Sequence, residues 1–192
     1  MAFYDSEHKK EIVRLEKCWD SLHELEDMAN EFGIKDIFQD NGAKILQQLV
    51  YLKMKFLPGR EGNDAVSDSK TEWEMKSINL ETSATGFSTN HHTNHEIIDK
   101  YKKVPWAFSI YRGIKLEEIY VMTPGMLAPV YSKWEKQLKN KSHLNNPKIP
   151  VKFVRINGIK VYPIDENNPV DPDIINVKND VNLNLNMFAS DD

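Results

Sequence analysis

A chain of 192 residues, 40% of them hydrophobic, is long enough to bury the core of one globular domain, and its composition demands no second. The net charge of −4 argues against binding nucleic acid through bulk charge, and a single cysteine, Cys18, excludes an internal disulfide or a cysteine-based zinc site. The opening "MAFYDSEHKK" lacks the charged-then-apolar order of a signal peptide, and no window approaches the roughly 18 apolar residues of a membrane span, so a soluble, cytoplasmic protein is expected.

The first predicted element is a long amphipathic helix. "EIVRLEKCWDSLHELEDMANEF" sets Ile12, Leu15, Trp19, Leu22, Leu25, Met28 and Phe32 at helical spacing, with Asp5 or Ser6 as a cap and Gly33 as a stop. Cys18 falls in this stripe, which favours packing over reactivity. The stripe either covers the chain's own core or joins a dimer interface, and spacing alone leaves both open. A second helix is expected after Asn41 and Gly42, carrying Ile45, Leu46, Leu49 and Val50 and breaking at Pro58 and Gly59.

Strand signals follow. "NDAV" and "TEWEMKSI" alternate around the turn cluster "SDSK" and predict a hairpin, and "VPWAFSIY" and "LEEIYVM" predict two more strands around Arg112 and Gly113. "PVYSKWEKQLK" predicts a helix with proline in its first turn. "VKFVRINGIKVY" predicts a final hairpin, because Asn157 and Gly158 suit a two-residue turn. The expected fold is α/β, a mixed central β-sheet flanked by helices. Residues 163–192, rich in Asn and Asp, are expected as a loosely ordered acidic tail, with a strand within "VNLNLNMF" as an alternative.

Charge is unevenly distributed. Residues 1–94 hold 11 basic and 17 acidic side chains, residues 95–162 hold 13 and 5, and residues 163–192 hold 1 and 7. The middle stretch is therefore +8 (13 less 5), enough to sit against phosphates, although scattered lysines on a solvated face would give the same count.

The residues with the most chemistry lie in the first predicted hairpin. In a strand, Glu74 and Lys76 share one face while Trp73 and Met75 take the other, toward a core. A hairpin that folds back across "SDSK" brings Asp64 beside them. Two carboxylates converging on one point make an oxygen-ligand site suited to Mg²⁺, and a neighbouring ammonium can assist attack on phosphorus. Taken alone, an acid followed some ten positions later by Glu-x-Lys is common by chance, and a charged strand face explains it equally.

The stretch "GFSTNHHTNH" follows directly. Ser88, Thr89, Asn90, His91, His92 and Asn94 form a dense run of short hydrogen-bonding groups of the kind needed to read base edges in a major groove. A polar surface loop is the plain alternative. Zinc ranks low, since adjacent His91 and His92 point apart in an extended chain and no cysteine supports them. "NNPKIP" adds Asn145 and Asn146, which suit either a turn or bidentate pairing with adenine.

Together, "DIFQDNG", "LPGREGNDAV", "KSIN", "GFST", "VPW", "IYRGI" and "NNPKIPVK" resemble the PvuII family of type II restriction endonucleases, within the PD-(D/E)xK nuclease superfamily, in order and nearly in spacing from about Leu15 to Tyr162. The resemblance implies a restriction-endonuclease-like fold, with a helical dimerisation region over about residues 1–54 and a catalytic and DNA-recognition region over about 55–162. It implies Asp64 and Glu74 as ligands of Mg²⁺ and Lys76 as the catalytic lysine, with Glu61 and Tyr101 assisting through water or hydrogen bonds. It further implies His91 and His92 on G·C pairs, with Ser88 and Asn90 in the same recognition segment. Asn146 falls on the adenine-reading position with Asn145 beside it, and Asp40 approaches from the minor groove. The implied protein is a homodimer on duplex DNA in a bacterial cytoplasm, cutting CAGCTG or a close relative, with a companion methyltransferase protecting the host genome.

Four features depart from the family. Asn90 stands where the family has the first of three successive histidines, and "LETSATGF" is one residue longer. The stretch "QLKNKSHL" differs, and the tail beyond Tyr162 has no counterpart. Two other functions remain in view: a DNA-binding protein of the same fold without catalysis, and a nuclease that reads DNA structure rather than sequence.

Overall fold

The computed structural model describes residues 6–34, 37–38, 41–57, 63–165, 167 and 170–172, and within the first helix only part of the side chains. That helix, α1, runs Ser6–Glu31 and ends where Gly33 takes φ 86, a left-handed angle that suits glycine. Its face toward the core carries Leu22, Leu25 and Ala29, followed by Phe32, whereas Met28 is exposed. Ile12, Leu15 and Trp19 of the predicted stripe lie outside the described side chains. Cys18 is exposed rather than packed. Among the described side chains of α1, Leu22 is the first to reach the core, so one turn earlier Cys18 has nothing described to pack on.

The second helix, α2, spans Gly42–Leu52. It stops earlier than Pro58 because Lys53 turns left-handed (φ 54) and its N–H closes the end on Leu49 and Val50 carbonyls. A short strand that the sequence reading passed over, β1 (Met54–Phe56), follows at once. The predicted hairpin is present as β2 (Ala65–Ser67) and β3 (Glu72–Asn79), paired antiparallel. The two further predicted strands are β5 (Trp106–Arg112), which pairs with β3, and β6 (Lys115–Met122), which pairs with β5; they come after the short β4 (Gly86–Ser88) and a helix α3 (His95–Tyr101) that the sequence does not announce.

Helix α4 occupies Ala128–Leu138 with proline in its first turn, as expected. The final predicted hairpin is wrong in its first half. Residues Val151–Asn157 form a helix, α5, after a short strand β7 (Lys148–Pro150), and only β8 (Ile159–Tyr162) is extended. The β-branched content of "VKFVRI" favours a strand, but Val151 and Val154, three apart, are both buried in one core, and tertiary packing overrides propensity. Gly158 is not a hairpin residue. Its N–H donates to the Val154 carbonyl at 2.8 Å, and a Cβ there would meet that oxygen at 2.7 Å.

The main sheet has six strands in the order β1-β2-β3-β5-β6-β8, with only β3 and β5 parallel, and β4 pairs with β7 in a separate two-stranded ribbon. Alternation along the strands divides the core in two. Trp73, Met75, Ala107, Ile119 and Val121 pack against α1 and α2, while Trp106, Phe108, Ile110 and Met122 pack against α3, α4, α5 and the ribbon. The strand β3 therefore presents its even-numbered residues to the second layer. Residues 173–192, including the possible strand in "VNLNLNMF", lie outside the described residues.

Candidate active site

The ladder between β2 and β3 ends at the pair Ala65↔Trp73. Beyond it the edge of β3 needs another acceptor, and Asp64 supplies one: its Oδ2 accepts from the Met75 N–H at 2.8 Å. This bond fixes the Asp64 carboxylate against β3 and leaves its second oxygen available. Two residues of β3, Glu74 and Lys76, project on the face opposite Trp73 and Met75, and their side chains meet, with Lys76 Nζ 2.5 Å from Glu74 Oε1. The spacing of two thus brings the pair together as the strand period requires.

Burial gives this cluster its electrostatic character. The Glu74 side chain is 8% exposed and that of Lys76 20%. Burial raises the Glu74 carboxyl above its ordinary range; the Lys76 charge opposes this and the Asp64 charge reinforces it. Burial alone would pull the Lys76 ammonium down, yet the charges of Glu74 and Asp64 outweigh it and hold the proton more tightly than usual. Burial drives the Glu74 shift, whereas at Lys76 the two carboxylates overcome burial.

Aromatic residues close the site from below and beside. The Lys76 Nζ lies 5.8 Å from the centre of the Trp106 ring, within cation–π reach. Tyr101, the last residue of α3, packs edge-on against Trp106 with ring centres 4.6 Å apart. Its phenol is pushed up to about 12, first by burial and then by the Glu74 charge, with the Lys76 charge acting the other way. Helix C-termini leave carbonyls without partners. Here the Tyr101 carbonyl takes bonds from Trp106 Nε1 at 3.3 Å and Tyr131 Oη at 3.1 Å, which locks α3 to β5 and α4.

The donor set fits a hard divalent cation. Asp64 and Glu74 offer carboxylate oxygens to a charge-deficient point, and Mg²⁺ ordinarily takes one or two protein carboxylates, keeping water and substrate phosphate for the rest. Glu61 and Asp40 lie outside the described residues.

The second polar region is the β4–β7 ribbon, which registers Gly86↔Pro150, Phe87↔Ile149 and Ser88↔Lys148. Gly86 is required by proximity, since a Cβ there would sit 2.9 Å from the Ile149 carbonyl oxygen. The loops leaving the ribbon are joined by a bridge between Thr93 and Leu144, with N–H···O bonds of 3.0 and 2.8 Å in the two directions. Thr89 Oγ1 donates to the Pro147 carbonyl at 2.7 Å and fastens the other end.

These bonds sort the dense polar run. Thr89 is used between the loops, Asn90 Oδ1 accepts from the His92 N–H at 2.9 Å, and Asn94 Oδ1 caps α3 by accepting from Ile97 N–H at 2.9 Å. Ser88, His91 and His92 are exposed. In the second loop Asn145 is exposed, while Asn146 adopts φ 50 and its Oδ1 is enclosed with no hydrogen-bond partner among the described residues. Sequence reasoning missed Trp106, the capping role of Asn94 and His143, whose ring contacts that of His92. The signal for His143 was its position two residues before Asn145.

Among the described residues, a mixed six-stranded sheet flanked by five helices, with an acid–acid–lysine cluster at the end of one strand pair, is an α/β arrangement of the restriction-endonuclease type. Residues 10–162 match the family model described as restriction endonuclease PvuII, and the chain belongs to that family. It is thus a type II restriction endonuclease, a phosphodiester hydrolase whose substrate is DNA. Among the described residues, no helix is long and apolar enough to cross a membrane.

Proposed function

We propose that this endonuclease uses Mg²⁺ to hydrolyse both strands of a palindromic duplex site, CAGCTG or a close relative, and that it does so as a homodimer. The observation that carries the proposal is the gathering of Asp64, Glu74 and Lys76 on β3, with Asp64 Oδ2 on the Met75 N–H and Lys76 Nζ 2.5 Å from Glu74 Oε1.

In this reading Asp64 and Glu74 hold the metal, which when bound polarises a phosphoryl oxygen and acidifies water. Lys76 faces the reacting phosphate as an ammonium and stabilises the charge that develops there. Tyr101 stays protonated at neutral pH and serves as a hydrogen-bonding group beside the cluster rather than as a base. Glu61 is assigned a supporting place there on the resemblance alone.

His91, His92 and Ser88 are the proposed major-groove readers, with Asn146 on adenine, Asn145 beside it and Asp40 on the minor-groove side. Asn90 is proposed to act by shaping the turn that presents them, since its side-chain oxygen is already held by the His92 N–H. A two-fold dimer supplies two phosphodiester sites and matches a palindrome. Its contact is proposed to come from about residues 1–54, with catalysis and recognition in about 55–162 and residues 163–192 as a separate tail. A bacterial cytoplasm and a companion methyltransferase complete the proposal.

The test is to incubate the purified protein with a mixed-sequence plasmid library, with Mg²⁺ or with EDTA, and to sequence every new DNA end. Ends sharing one palindrome and formed only with metal are expected. Ends at branched or random positions would replace the proposal with a structure-reading nuclease, and selective binding without ends would replace it with a DNA-binding protein.

A further inference from the structure

We propose that His143 is a specificity-determining positioning residue, which braces the base-reading ring of His92 from the opposite loop. This rests on the reading of the ribbon loops as the DNA-reading surface. The rings of His92 and His143 meet edge to face, with centres 4.7 Å apart and planes at 64°. Both residues are exposed, so the contact buries little and contributes little to folding.

The backbone explains why the contact is fixed. The antiparallel bridge pairs Thr93 with Leu144, both of them buried. His92 precedes Thr93 and His143 precedes Leu144, which makes the two imidazoles diagonal neighbours across the bridge, a relation that ring-bearing side chains span. Each residue is steadied from its own side as well. Asn90 Oδ1 accepts from the His92 backbone N–H, and Ser142 Oγ lies 3.1 Å from the His143 ring Nδ1. An unbraced exposed imidazole samples several rotamers, and a base contact that needs one of them is weakened by the fraction of time spent in the others. A ring wedged against His143 is already oriented. The interaction also couples the two loops, so that the G·C-reading and adenine-reading segments are set by one another.

The experiment uses the full chain and the site found from sequenced plasmid ends. Cleavage kcat/KM is measured on that duplex and on duplexes with one G·C pair replaced, for the wild type, His143→Ala, His143→Phe, His92→Ala and the double alanine variant, with thermal midpoints recorded alongside. Discrimination at the pair read by His92 is expected to fall about tenfold in His143→Ala at an unchanged midpoint. His143→Phe, which keeps a ring edge, is expected to restore most of it, and His143→Ala is expected to add nothing once His92 is alanine. Unchanged discrimination in His143→Ala, or independent losses that add in the double variant, would overturn the inference while leaving the ribbon as reader. Cleavage by the wild type without sequence preference would overturn that underlying reading, and the inference with it.

Discussion

The two polar regions of the molecule are built on opposite plans. Around β3, a buried glutamate and a half-buried aspartate and lysine are gathered, where Asp64 completes a backbone ladder and Glu74 and Lys76 share one strand face. On the β4–β7 ribbon, neutral and weakly basic groups stand exposed on loops that are tied by side chain to backbone bonds from Thr89, Asn90 and Thr93. A buried charge cluster gains strength from low dielectric and needs a rigid frame. A reading surface must meet a partner's donors and acceptors and needs exposure with fixed direction. The contrast implies that chemistry and selection are separable by mutation.

The sharpest way to separate them is Lys76→Ala. Cutting is expected to fall about 10²–10⁴-fold, with affinity for the site retained, as compared by single-turnover cleavage and by duplex binding without metal. Loss of both together would erase the division. Glu74→Gln is the next largest. It should abolish metal-stimulated cutting and also change stability in a direction set by the raised carboxyl. Because the folded group binds its proton more tightly than the unfolded one, its contribution is fully present below the unfolded value and is lost as pH rises through the folded one. Metal-free wild type should therefore lose stability over that window, and Glu74→Gln should flatten the loss in thermal melts taken across pH.

On the ribbon side the effects are smaller and of another kind. Gly86→Ala forces a Cβ against the Ile149 carbonyl and should cost about 1–3 kcal/mol in denaturant unfolding, weakening site preference with it. His91→Ala should cost about 1–3 kcal/mol of discrimination at G·C positions per lost contact, seen in competition between cognate and substituted duplexes. An equal loss on all DNA would mean that His91 touches phosphate or supports the fold. Asn90→Ala removes the acceptor of one turn bond and should lower site affinity by about 0.5–1.5 kcal/mol in the same assay.

The two regions also differed in how far the sequence revealed them. The pairing of Glu74 with Lys76 follows from a strand period of two, and the approach of Asp64 follows from the turn at "SDSK", so local rules sufficed. The ribbon depends on contacts distant in sequence: Thr89 with Pro147, Thr93 with Leu144, and His92 with His143. No local periodicity announces them. For the same reason the polar run read as uniform, when Asn94 is a helix cap and Asn90 a turn acceptor. The strand predicted over residues 151–157 failed because β-branched residues were weighed without the core that Val151 and Val154 enter. Asp40 and Glu61 are assigned on the resemblance to a known family alone and lie outside the described residues.

The most direct measurement of the separation between cutting and reading compares two sequence sets: the DNA ends produced by the wild type with Mg²⁺, and the duplexes that Lys76→Ala retains from a random library. The account predicts one and the same palindrome in both. Retention of unrelated or unselected DNA by the variant would show that recognition depends on the catalytic cluster itself, and would contradict the division on which the account is built.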